Sequence, residues 1–371
     1  MRNSLREHFQ NILSVADVKV DGKRVWDIQV NNPLFYQRVF SKGSLGLGEA
    51  YMEGWWDCKE IDEFFYRILR SKIDEKTNKM SLIIPIIKSN FFNLQNRAGA
   101  EVVNREHYDL NSKLYSSFLD TYMQYTCGYF EGTNNLNEAQ ENKLDLICRK
   151  LKIKKGDRVL DIGCGWGGFA KYAAKNYGCR VTGLSLSKEQ VKYAKTFCKG
   201  LPVEIKFQDY RDINGQFDKI LVCGMIEHVG CKNYHNFMQI VNKNLKDDGL
   251  FLLHTIGRND SSTHADPWIE KYIFPNSMLP SLSQIAQTSE KLFVMEDLHS
   301  FGQHYDLTLM AWENNFVKNW NSIKGDYDEK FYRMWRYYLL SCAGAFRSRT
   351  LQLWQIVFSK KGIEGGYICP R

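Results

Sequence analysis

No run in these 371 residues approaches the roughly 20 consecutive apolar residues that a membrane-spanning helix needs. The nearest candidate, Leu82-Ile83-Ile84-Pro85-Ile86-Ile87, is short and broken by proline. Any membrane contact is therefore expected to be peripheral. The opening residues, Met1-Arg2-Asn3-Ser4-Leu5-Arg6-Glu7-His8, lack the apolar core of a signal peptide. Ten cysteines are present, but none stands in CxxC spacing and no Cys/His pairs cluster. That excludes the usual zinc site and a secreted disulfide scaffold, so no metal is expected and a reducing cytoplasm is. There is no low-complexity tract, no internal repeat and no polybasic tail. A net charge of +8, from 50 basic and 42 acidic residues, suits either a solvated surface or a basic patch facing anionic lipid. Neither a basic, aromatic-lined groove nor a base-methylating motif is visible, so no nucleic-acid partner is expected.

The length is too great for one compact α/β unit and fits about two domains. Residues 1–75 read as a small N-terminal α/β domain. Residues 25–30 alternate as a strand does, and Asn32-Pro33 is placed to open a helix with proline at its first position. Gly54-Trp55-Trp56-Asp57 reads either as subdomain core or as a lipid- or partner-contacting patch. Residues 76–104, with Phe91-Phe92, form the candidate linker. Residues 105–371 carry the catalytic pattern. Strands are expected at 158–162, 180–184, 203–208, 219–223 and 250–255. Helices are expected at 136–151, 169–176, 188–198 and 233–245. Such alternation predicts a doubly wound, mostly parallel sheet with helices on both faces.

The most informative stretch is Val159-Leu160-Asp161-Ile162-Gly163-Cys164-Gly165-Trp166-Gly167-Gly168. It reads as a buried strand entering a glycine-rich turn and then a helix. NAD, FAD and S-adenosylmethionine sites all use such a turn. Asp161 tilts the choice, because a carboxylate there would repel a pyrophosphate but suits the cationic amino-acid end of S-adenosylmethionine. Ligands of doubly wound sheets bind beyond the carboxyl ends of the strands. Polar residues recur at those expected ends: Asp161, Ser185, Asp209-Tyr210, Glu227-His228 and His254. Structural turns also favour Asp and Ser there, so the set carries more weight than any member.

Several motifs combine into a resemblance. They are His107-Tyr108-Asp109-Leu110, Tyr125-Thr126-Cys127-Gly128-Tyr129-Phe130, the glycine loop, and Gly183-Leu184-Ser185-Leu186-Ser187-Lys188-Glu189-Gln190. Gln208-Asp209-Tyr210-Arg211-Asp212, Ile226-Glu227-His228-Val229-Gly230 and Leu253-His254-Thr255-Ile256-Gly257 follow. His304-Tyr305-Asp306 and Cys342-Ala343-Gly344-Ala345-Phe346-Arg347 complete the series. In order and combination the chain resembles the cyclopropane-fatty-acyl-phospholipid synthases over nearly its whole length.

The resemblance implies a Rossmann-like S-adenosylmethionine-dependent methyltransferase fold. It also implies transfer of the S-adenosyl-L-methionine methyl carbon to the cis double bond of an unsaturated phospholipid acyl chain at a membrane surface. Cofactor contacts then fall to Tyr125, Thr126, Asp161, Gly163, Gly165, Gly167, Ser185, Gln190, Asp209 and Tyr210. Bound bicarbonate would be the base, with ligands at Cys127, Glu227, His254, Ile256 and Tyr305, and Cys127 and Ile256 acting through backbone atoms. Homodimers occur in that family, though no symmetric seam is legible here. On the residues alone, other roles stay open. Glu227-His228 reads equally as a helix-start capping pair, His254 as a satisfied buried histidine and Tyr305 as a core tyrosine. C-methylation of an acyl chain to a branched product, or N-methylation of a small amine, would use the same cofactor.

Overall fold

A computed structural model describes residues 2–72, 112–262 and 265–371. The expected linker, Ile84, Phe91 and the His107-Tyr108-Asp109-Leu110 motif lie outside the described residues. The chain forms two compact units. One gathers 2–72, 265–275 and Tyr305–Leu351, the other 112–262, Asn276–His304 and Gln352–Arg371. The unit that holds the N-terminal stretch thus takes in two later pieces, which the sequence reading places in the catalytic domain.

In this first unit a two-residue ribbon, β1 (Gln29–Val30) and β2 (Trp56–Asp57), pairs antiparallel. The expected strand over 25–30 is cut short because its first half turns. The Asp27 amide donates to the Arg24 carbonyl, and the Asp27 carboxylate accepts from the Lys19 and Arg24 amides. The helix Phe35–Met52 begins two residues after Pro33, not at it, since Asn32 Oδ1 caps a turn through the Leu34 amide. Trp56 is fully buried; its indole donates to the Leu47 carbonyl, and its ring meets Phe35, Tyr51 and Phe64. It is core, which leaves only Trp55, under the Arg38 guanidinium, as a candidate surface aromatic. Trp268, on the helix Pro267–Tyr272, lies so close to Gly48 that a Cβ there would sit 2.3 Å from its Cδ1.

The second unit contains most of a seven-stranded sheet. Its strands are β3 (Arg158–Ile162), β4 (Arg180–Ser185), β5 (Val203–Phe207), β6 (Phe217–Cys223), β7 (Leu245–Arg258), β8 (Val294–Ser300) and β9 (Leu351–Ser359), in the order β5-β4-β3-β6-β7-β9-β8. The pairs β5–β4, β4–β3, β3–β6 and β6–β7 are parallel, and β8 runs antiparallel to β9. Helices Leu136–Lys150, Gly168–Tyr177, Lys188–Phe197 and Tyr234–Asn244 fall within a residue or two of expectation. Alternate residues of each central strand enter different cores. Leu160, Ile162, Ile220, Val222, Phe251 and Leu253 join one, and Val159, Leu221, Leu250 and Leu252 join the other. A sheet covered on both faces reads as unbroken apolar sequence.

Replacing Gly48 by alanine is expected to lower stability by about 1–3 kcal/mol, the range for overpacking a filled core. Thermal denaturation of the variant checks it, and an unchanged melting temperature would contradict the packing described.

Candidate functional site

β3 ends in a turn whose register is set by β4, since the Gly163 and Cys164 amides both donate to the Leu184 carbonyl, at 3.0 and 2.9 Å. Gly163, Gly165 and Gly167 all have positive φ, at 84°, 52° and 85°. The space where a Gly165 Cβ would stand is open, and Gly163 and Gly165 line a pocket of the second unit. Gly167 does not line it. It caps the helix Gly168–Tyr177, and a Cβ there would come within 2.9 Å of Ala194 Cβ. Glycine there allows close helix packing.

Tyr125, Thr126, Asp161, Ser185, Gln190, Asp209 and Tyr210 line the same pocket. Asp161 is 2% exposed, and its Oδ2 has no hydrogen-bond partner among the described residues. Burial pushes its carboxyl up to about 7, against a smaller opposing pull from the Lys143 ammonium. A carboxylate held in that state gains from a ligand cation. Ser185 donates from Oγ to Gln190 Oε1 at 2.9 Å and accepts from the Ser187 amide. That fixes Gln190, which is buried, so it is no ordinary surface glutamine. Asp209 accepts from the Arg211 amide and pairs with the Arg211 guanidinium at 2.8 Å. The Tyr210 hydroxyl is buried without a partner among the described residues, and its ring meets Phe237 edge-on.

Lys143 escaped sequence reasoning. Its ammonium is fully buried, donates to Gln124 Oε1 and, at 3.0 Å, to Thr126 Oγ1, and so supports the pocket wall. Gln140 adds a bond from Nε2 to the Thr126 carbonyl. The signal was there: on the helix Leu136–Lys150 both fall in the stripe Leu136, Ala139, Gln140, Lys143, Leu144 and Ile147, all of it buried.

Glu227 follows β6 in a short 3₁₀ turn and is buried. One carboxylate oxygen accepts from the Ile256 amide at 2.9 Å; Oε2 has no partner among the described residues. Burial raises this carboxyl to about 7. His254 does not end β7, which continues to Arg258 because it pairs beyond the reach of β6. It stands opposite Cys223, the last residue of β6, and its carbonyl accepts from the Gly224 amide. Both Cys223 and Gly224 line the pocket. The ring is 1% exposed, and burial drives its pKa well down, so it is neutral. Gln355, not Glu227, meets Nδ1, at 3.2 Å. Ile256 spends its amide on Glu227, and its carbonyl accepts from the Thr255 hydroxyl. Cys127 is buried, with its thiol donating to the Gly128 carbonyl. Tyr305 belongs to the first unit, where it stacks on Phe346 with ring centroids 4.5 Å apart.

A family model described as mycolic acid cyclopropane synthetase matches residues 95–356. The chain belongs to this family. It is 52% identical over 356 residues to the cyclopropane-fatty-acyl-phospholipid synthase of Escherichia coli, spanning 96% of this chain and 93% of that protein. The cyclopropane synthase MmaA2 of Mycobacterium tuberculosis matches with a TM-score of 0.66 and 29% identity, over 70% of this chain and 98% of that one. The mycolic acid cyclopropane synthase CmaA1, solved in complex with SAH and CTAB, gives the same TM-score, identity and coverage. As a member of the cyclopropane synthetase family, the chain is an S-adenosylmethionine-dependent methyltransferase. Its pocket fits that cosubstrate, with a buried carboxylate at Asp161 whose Oδ2 has no partner among the described residues and a glycine whose side-chain space is open.

Below about pH 7 the Asp161 carboxyl is mostly protonated, and an amino-acid ammonium gains little from it. Affinity for S-adenosylhomocysteine should therefore rise as pH passes upward through about 7 and then level off. Asp161→Asn should weaken binding by about tenfold or more, a lost charged partner costing about 1.5–3 kcal/mol, and flatten this pH dependence. Calorimetric titration between pH 5.5 and 8.5 checks both, and an equal slope in the variant would remove Asp161 from the role.

Proposed function

We propose that the protein is a cyclopropane-fatty-acyl-phospholipid synthase that uses bicarbonate as its base. The double bond of a cis-unsaturated acyl chain attacks the sulfonium methyl carbon, and the carbon–sulfur bond breaks with its electrons passing to sulfur. The carbocation left in the acyl chain then gives a proton from the new methyl group to the base and closes to the ring. An alkene is a weak nucleophile, so the chain's first task is alignment. Asp161 holds the ammonium end, the Ser185–Gln190 pair takes the ribose, and Asp209 with Tyr210 borders the adenine. The second task is to keep the cation from water, which the burial around Glu227 and His254 serves.

Bicarbonate, when bound, supplies a base compact enough for an apolar site. Two buried polar atoms carry this reading: Glu227 Oε2 and His254 Nε2 have no partner among the described residues. An anion out of water needs donors, and a neutral imidazole N–H is one. Glu227 accepts from the anion's hydroxyl, and Cys127 contributes from its backbone. Ile256 acts one step back, because its amide holds Glu227 in place.

Peripheral binding to the membrane surface that holds the acyl chains, and assembly as a homodimer, belong to the same proposal. None of the described helices is long and apolar enough to cross a membrane. Introducing charges at Ile84 and Phe91 is expected to reduce co-sedimentation with anionic phospholipid vesicles. Undiminished binding by a folded variant would remove that segment from the membrane contact.

Incubating the protein with S-adenosylmethionine and cis-unsaturated phospholipid vesicles should give acyl chains one methylene heavier and resistant to mild hydrogenation. Bicarbonate should speed their formation. A product that hydrogenation still reduces would make the enzyme a branching C-methyltransferase. Glu227→Gln should cut turnover by about 100-fold or more, the scale of a lost acid–base arrangement, while S-adenosylhomocysteine still binds. A variant of near-wild-type turnover would end the assignment of Glu227.

A further inference from the structure

β9 carries Leu351-Gln352-Leu353-Trp354-Gln355-Ile356-Val357-Phe358-Ser359, and Gln355 is completely buried in it. Its neighbours Trp354 and Ile356 enter one core of the sheet, while Val357, which shares its face, enters the other. Leu250 and Leu252, on the same face of β7 as His254, enter that second core too. A primary amide in such a place costs free energy unless it is used. Its one side-chain hydrogen bond among the described residues is to His254, Nε2 to Nδ1 at 3.2 Å, and its Oε1 has no partner among them.

The direction of that bond follows from what each arrangement leaves unpaired. With the amide nitrogen toward the ring, the carbonyl oxygen and one N–H hydrogen are left over. In the reverse placement a buried NH₂ would have both hydrogens unpaired, and orphaned donors are the rarer and costlier outcome. An amide that donates to Nδ1 makes Nδ1 the acceptor. The single proton of the neutral ring must then sit on Nε2.

We propose that Gln355 is a positioning residue that fixes the tautomer of His254, so that the ring presents an Nε2–H donor to the site rather than a bare nitrogen. This rests on the reading of His254 as a donor to an anion. It also accounts for a polar side chain that the assigned chemistry leaves unused. With a carboxylate in place of the amide, Nδ1 would take a proton, so the ring would either turn its single donor inward or become an imidazolium. An apolar residue of similar length would leave the two tautomers to compete.

The test is nuclear magnetic resonance of the full-length protein with ¹³C,¹⁵N-labelled histidine, in bicarbonate-free buffer, with His254→Gln identifying the resonance. The wild type should show the Nε2–H tautomer. Gln355→Met should move His254 toward a mixture, and Gln355→Glu toward the Nδ1–H form or the imidazolium. Gln355→Met should also lower turnover by about tenfold or more, as wrong-tautomer histidines do, with S-adenosylhomocysteine affinity kept within about twofold. An Nδ1–H tautomer in the wild type overturns the proposal even if neither variant folds. An unchanged Nε2–H signal in both folded variants overturns it as well. An Nε2–H wild type whose turnover ignores added bicarbonate would sink the base reading while leaving the tautomer assignment standing.

Discussion

The parallel pairing of β3 with β4 on one side and β6 on the other is the constraint on which the site depends. It sets Asp161 opposite Gly183 and Leu221, and it points the carboxyl ends of neighbouring strands the same way. Residues far apart in sequence then reach one pocket: Asp161 from β3, Ser185 from β4, Asp209 from beyond β5 and Gly224 from beyond β6. Helices on both faces make those strand ends dry. The apolar packing of two cores offsets the cost of burying a carboxylate in each of two places and an ammonium under one of them.

That dryness shapes the electrostatics as one effect with three signs. Burial raises Asp161 and Glu227 to about 7, lowers Lys143, and keeps His254 neutral. Around Glu227 and His254 the site therefore carries little fixed charge near neutral pH. A reaction through a carbocation gains from this, because strong nucleophiles and bulk water are what such a species must not meet.

Much of the sheet was legible because its strands are short, regularly spaced and broken by turn residues. Asp161 and Ser185 could be placed from the strand-end pattern, Gln190 only through the family motif that holds it. The misses have specific causes. Glycines that bend the chain and glycines that admit a ligand look alike in sequence; only the Ala194 neighbour separates Gly167 from Gly165. β9 follows a long helix and is buried on both faces, so it shows no alternation to read. With β9 unseen, Gln355 could not be matched to His254, whose Nδ1 it meets, and the bond from the Ile256 amide to Glu227 could not be foreseen. The family motifs marked the right neighbourhood. Which atom holds which is a property of strand order, and no local pattern encodes it.

The first unit is assembled from the two ends of a long excursion. Arg333 donates to the Tyr51 and Trp56 carbonyls, and the Arg347 guanidinium pairs with Asp62. Tyr51 and Arg333 are 282 positions apart. On the ribosome, where chains grow at about 5–20 residues per second, the early helices wait on the order of tens of seconds for these partners. During that interval Trp56 and Phe64 lack the helix that later covers them. The unit nearest the start of the chain is thus among the last to finish folding, and a stalled or truncated nascent chain would present its aromatic face to chaperones and proteases.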